Sequence, residues 1–168
     1  LPSFHFMQVV KLLPERPTQD LAIRNLRNAI RILRLGTKAQ IGLISIPPLG
    51  EALDSRPMAW VRGYNERLRK LAEEEGCGYL PVFERMEAVL RAEPAAGHVF
   101  RGSLWMSAEF VLLGEDFDAY SERKGFRLLI DGVHLNRRAA GIVAEEGEKY
   151  LRLKVGESRE PRVESREA

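Results

Sequence analysis

The run Ile41-Gly42-Leu43-Ile44-Ser45-Ile46, closed by Pro47 and Pro48, constrains the fold more than any other stretch. A run this short and this apolar predicts a strand buried on both faces, the pattern of a parallel sheet covered by helices. Its flanks agree. Before it, Thr18 can cap a helix running to about Leu35, in which Leu21, Ile23, Leu26, Ile30 and Leu33 recur at helical spacing. After it, Ser55 can cap a second helix with Pro57 in its first turn; Trp60, Val61, Tyr64, Leu68, Leu71 and Ala72 form the apolar stripe up to Gly76. Tyr79-Leu80-Pro81-Val82-Phe83 then reads as a second strand, whose internal proline places it at an edge or a strand end. Helix, strand, helix, strand over residues 18–83 is the alternation of a parallel α/β sheet.

The remainder supplies cover for that sheet. Residues 84–92 read as a helix and 94–97 as a loop, and Leu104 to Leu113, with Trp105, Met106 and Phe110, reads as a helix against the sheet. Phe126-Arg127-Leu128-Leu129-Ile130 leads into Asp131, and a last helix runs from Asn136 through Leu151, tolerating Gly141 and Gly147 at some cost. The opening residues 1–14 are too apolar for a free terminus. Residues 155–168, rich in Glu, Arg, Ser and Pro, cannot bury a core, so the expected division is an α/β domain over 1–154 and a disordered tail over 155–168. Arg24, Arg27, Arg31 and Arg34 share one helix face and read as a solvated surface rather than a phosphate site. Ser45, at the end of the first strand, lies where open α/β sheets place their sites, but no nucleophile elbow surrounds it and it reads as structural.

Composition narrows the function. With 168 residues a single core of ordinary size is the default. Lys plus Arg number 26 against 24 Asp plus Glu, so the net charge of +2 supplies no field for nucleic acid. The lone cysteine, Cys77, allows no internal disulfide, and His5, His98 and His134 are too scattered for a zinc-type site. No glycine-rich phosphate loop succeeds a strand. No metal and no cofactor are therefore expected. No apolar run has the length of a transmembrane segment, the start lacks a signal-peptide pattern, and the compartment stays open.

The chemistry concentrates in Asp131-Gly132-Val133-His134-Leu135-Asn136. A carboxylate this close to an imidazole can hold one ring nitrogen and leave the other free to move a proton, the oriented base of nucleophilic catalysis. The alternative is an aspartate that caps a turn beside a surface histidine. Taken with Ile44-Ser45-Ile46-Pro47-Pro48-Leu49-Gly50-Glu51, the helix containing Tyr64-Asn65, and Tyr79-Leu80-Pro81, this block resembles the C-terminal part of the SGNH hydrolases, the GDSL-type esterases and lipases, over residues 8–152.

That resemblance implies a three-layer, flavodoxin-like α/β fold and a Ser-His-Asp triad in which Asp131 and His134 are catalytic. His134 would act as general base and then general acid on a small-molecule or lipid-like ester, without a cofactor. The family's nucleophile lies in a Gly-Asp-Ser block and its oxyanion hole in a Gly-x-Asn-Asp block, and neither occurs in these 168 residues. The chain opens on Leu1, and its first residues resemble the family's segment just C-terminal to the Gly-x-Asn-Asp block. The expected domain is therefore incomplete, beginning just after the third strand, and expected to fold poorly alone or to self-associate. The alternative is a catalytically inactive fragment or a degenerate relative acting as a non-enzymatic α/β binding module.

Overall fold

In a computed structural model of the chain, the described residues are 17–94, 98 and 116–157. They order as α1 (Gln19–Gly36), β1 (Gly42–Ile44), α2 (Arg56–Glu74), β2 (Gly78–Leu80), α3 (Val82–Ala92), α4 (Phe117–Arg123) and α5 (Arg137–Glu157). The strands pair in parallel, Gly42 with Gly78, Leu43 with Tyr79 and Ile44 with Leu80. Helix starts obey local chemistry. The side chains of Thr18 and Ser55 accept the N–H groups of Leu21 and Met58, and Asp116 accepts those of Asp118 and Ala119. Asn136 Oδ1 accepts the N–H of Ala139 at 3.1 Å and so caps α5.

Helices cover the sheet on both faces. Leu43 packs with Ile30 of α1 and Leu68, Leu71 and Ala72 of α2, and Tyr79 lies against the same cluster. On the opposite face, a Cβ added at Gly42 or Gly78 would run into the ring of Tyr150, so α5 closes over the sheet where both strands carry glycine. A second cluster joins Met58 and Val61 of α2, Val82, Phe83, Met86 and Leu90 of α3, Ala139 and Ile142 of α5, and Phe126, Leu128 and Leu129. The segment leading into Asp131 is thus anchored in the core. This is the expected α/β class, a small parallel sheet flanked by helices.

Several details differ from the sequence reading. The first strand is not buried on both faces: Leu43 and Ser45 are buried, whereas Gly42 and Ile44 are exposed, Ile44 at 45%. The reason is that Tyr150 packs against both glycines but leaves Gly42 open to solvent, and no described side chain covers Ile44 fully. The second strand stops at Leu80, because Pro81 has no N–H for the ladder and Val82 and Phe83 already form the first turn of α3. The arginine face of α1 is not simply solvated. Arg27 pairs with Glu74 at 2.5 Å and with Glu75 at 2.7 Å, and Arg31 reaches Glu75 at 3.4 Å, which ties α1 to the end of α2. Pairs that stay partly solvated, as these do, orient helices more than they stabilise them. α5 continues to Glu157, past the expected domain boundary, while 158–168 and the expected helix at 104–113 lie outside the described residues.

Candidate active site

Asp131 and His134 sit at the tip of a narrow turn. Leu129 bridges antiparallel to Leu135, the N–H of Ile130 donates to the carbonyl of His134 at 2.8 Å, and the N–H of Asn136 donates to that of Leu128 at 2.9 Å. Gly132 takes a φ of 87°, a left-handed conformation that favours glycine and lets the chain reverse in so few residues.

Asp131 uses both oxygens. Oδ1 accepts the N–H groups of Val133 at 3.0 Å and His134 at 2.8 Å, and Oδ2 lies 2.7 Å from Nδ1 of His134. The turn-capping role and the imidazole-holding role are therefore compatible, one per oxygen. Burial of the Asp131 carboxyl favours its neutral form. The N–H of His134, its ring and the N–H of Val133 all favour the carboxylate, and together they outweigh burial and hold the group below the ordinary aspartate range. The Asp131 side chain is only 9% exposed, whereas that of His134 is 69% exposed. A buried carboxylate on Nδ1 leaves Nε2 on the accessible side of the ring, able to exchange a proton with a bound molecule.

The loop after β1 supports this turn from beneath. The N–H of Gly50 donates to the carbonyl of Gly132 at 2.8 Å, with Gly50 itself at a φ of 73°. The carboxylate of Glu51, 3% exposed, accepts the N–H groups of Arg127, Leu128 and Leu129 at 2.7 to 2.8 Å. The loop is in turn fixed at its start by Asn65 on α2, whose side chain accepts the N–H of Ile46 at 2.8 Å and donates to its carbonyl at 2.9 Å, as a neighbouring strand would. On the far side of the turn, Ser121 Oγ donates to the carbonyl of Leu129 at 2.7 Å, and Asn136 Nδ2 donates to Ser121 Oγ and to the carbonyl of Arg127, each at 3.1 Å.

Every described serine hydroxyl is committed elsewhere. Ser45 is fully buried; its Oγ accepts the N–H of Phe83 at 2.8 Å and lies 3.1 Å from the carbonyl of Leu80, which supplies a partner to the uncapped first turn of α3. Ser55 caps α2 and Ser121 serves Leu129. Ser3, Ser103, Ser107, Ser158 and Ser165 lie outside the described residues. Cys77 is half-buried between α2 and β2, where burial pushes its thiol pKa up, away from reactivity. A hollow of about 430 Å³ lined by Asp118, Glu122, Phe126 and Arg127 includes neither Asp131 nor His134. Among the described residues no group of His, Cys, Asp and Glu could hold a metal ion, and no helix is long and apolar enough to cross a membrane.

Several solved structures share this fold. One is an α/β hydrolase enzyme from the metagenome of Lake Arreo, Spain, with a TM-score of 0.52 at 14% identity over 86% of this chain and 53% of that one. At this identity the likeness is one of fold. An acetyl-xylooligosaccharide esterase from Geobacillus, in a mutant form, matches with a TM-score of 0.54 at 14% identity, covering 86% of this chain and 52% of its own. An acetyl xylan esterase matches at 0.52 and 15% identity, covering 87% of this chain and 61% of its own. The chain thus spans roughly half to three-fifths of the length of these hydrolases. No protein-family model matches the sequence, and no curated protein does.

Sequence reasoning points to Asp131 and His134 and misses the groups that hold them. Glu51, Asn65 and Asn136 fall inside the blocks that carry the resemblance, and Asn136 opens the predicted last helix, but nothing local assigns any of them a supporting role. A carboxylate directly after Pro47-Pro48-Leu49-Gly50 is the signal that could find Glu51, since a charge so close to a buried strand needs a partner.

Proposed function

We propose that Asp131 and His134 are the acid–base part of an SGNH-type ester hydrolase that cleaves a carboxylic ester or an acetyl group. The observation that carries this is the 2.7 Å contact between a buried carboxylate oxygen and Nδ1 of an exposed imidazole. In this reading Nε2 of His134 takes the proton of a serine hydroxyl as its oxygen attacks the ester carbonyl. The same proton then passes to the departing alcohol. Water repeats the sequence on the acyl-enzyme, with His134 again the base, and releases the acid and the free serine. Asp131 stays ionised throughout, fixing the tautomer and balancing the imidazolium.

The serine and the oxyanion donors come from sequence beyond these 168 residues, in Gly-Asp-Ser and Gly-x-Asn-Asp blocks. One observation supports this division: the esterases with this fold are longer than the chain. The test begins with the natural reading frame upstream of Leu1. It is expected to encode both blocks, and the protein made from it should hydrolyse a short-chain nitrophenyl ester and react with a fluorophosphonate at the Gly-Asp-Ser serine. A frame that encodes neither block overturns the proposal.

A second reading, a non-enzymatic α/β binding module, is favoured by the commitment of Ser45, Ser55 and Ser121 to structural hydrogen bonds. Its sign is stabilisation by a ligand without turnover.

A further inference from the structure

We propose that Glu51 is a positioning residue for the Asp131–His134 pair, a role that rests on the acid–base reading of that pair. Its carboxylate is the hub of the segment that delivers the pair. Oε1 accepts from Leu128 and Leu129 and Oε2 from Arg127, so three consecutive amides converge on one buried charge. Consecutive backbone N–H groups that point to one side cannot belong to a regular strand, in which they alternate. The segment 127–129 therefore holds a shape that the ladder alone would not give it, and the carboxylate is what makes that shape stable. Leu129 is two residues from Asp131, and its carbonyl is tied to Ser121 and its backbone to Leu135.

The same loop makes a second contact inside the turn, where the Gly50 N–H meets the Gly132 carbonyl. The two attachments lie on either side of Asp131. Together they fix the direction in which its carboxyl leaves the chain, and so which imidazole nitrogen it can reach. Removing the Glu51 carboxylate would leave two buried donors and one partly buried donor without their acceptor, and the segment would turn them toward water. Asp131 Oδ2 would then leave Nδ1 of His134.

The test reads the pair itself, so it stands whether or not the protein hydrolyses esters. The tautomer of the neutral His134 ring is measured by long-range proton–nitrogen NMR correlation, with amide exchange at Val133 and His134, in wild type, Glu51→Gln, Glu51→Ala and Leu71→Ala. Leu71→Ala weakens the distant α1–α2 cluster and controls for lost stability. In wild type and Leu71→Ala the Nδ1–H form should dominate. Glu51→Ala should shift the ring to a mixture and raise exchange at both amides at least about tenfold beyond a control of equal melting temperature. Glu51→Gln keeps one oxygen acceptor and should fall between them; if Glu51→Ala does not fold, this variant carries the comparison. An unchanged tautomer and unchanged local exchange in folded Glu51→Gln and Glu51→Ala would overturn the role. Absence of ester hydrolysis in the wild-type protein with the tautomer intact would instead count against the catalytic reading alone.

Discussion

The backbone N–H of Gly50 donates to the carbonyl of Gly132 at 2.8 Å, joining the loop after the first strand to the turn that carries Asp131 and His134. Both glycines are left-handed, with φ of 73° and 87°. An L side chain at either position costs about 1–2 kcal/mol from backbone strain alone. Gly50→Ala and Gly132→Ala are each expected to lower stability by at least that amount in urea melts. Because the two residues share one hydrogen bond, the double variant should lose less than the sum. Strict additivity would show that the contact does not couple them.

Asp131 ties stability to acid pH. Its carboxyl is lowered in the folded protein, so its contribution is complete above the unfolded aspartate value of about 3.9 and is lost as pH falls through the folded value. Urea melts at pH 6 and pH 3 should show a loss for wild type that is smaller in Asp131→Asn. At pH 6 that variant should already be weaker by about 1–3 kcal/mol, because the buried acceptor of two amides and an imidazole is replaced. Equal acid sensitivity in the two proteins would remove Asp131 from the account of pH.

The helices are legible in the sequence because their signals are local. Thr18 and Ser55 cap the helices that their positions announce, and the apolar stripes of α1 and α2 pack as their spacing requires. The second strand reads too long because Val82 and Phe83 have strand-like side chains, and it is Ser45 Oγ, 38 residues away, that makes a helix start acceptable there. The Asp131–His134 contact is legible for the same reason as the caps: its partners are three positions apart. Glu51 is not, since its three amide partners lie 76 to 78 residues downstream and no pattern in either segment declares the other.

The partly open face of β1 bears on association. Ile44, 45% exposed, sits on a strand whose known partner, β2, occupies one edge. The 168-residue chain is expected to self-associate through this region, because among the described residues the other edge of β1 has no partner strand, and an open edge invites another. Ile44→Lys should shift sedimentation toward the monomer while moving stability by no more than about 0.5 kcal/mol, as for an ordinary surface substitution. A wild-type chain that is monomeric at all concentrations, with a sharp reversible melt, would contradict this.

The central claim is that Asp131 and His134 act as one unit on a proton. Ester hydrolysis by the protein expressed from its natural reading frame, measured for wild type, His134→Ala, Asp131→Asn and the double variant, tests it most directly. Members of such a unit are strongly non-additive. His134→Ala should reduce kcat/KM by at least about 10³-fold and Asp131→Asn by a comparable factor, with the double variant little worse than His134→Ala alone. Hydrolysis that survives His134→Ala at the wild-type rate would contradict the account.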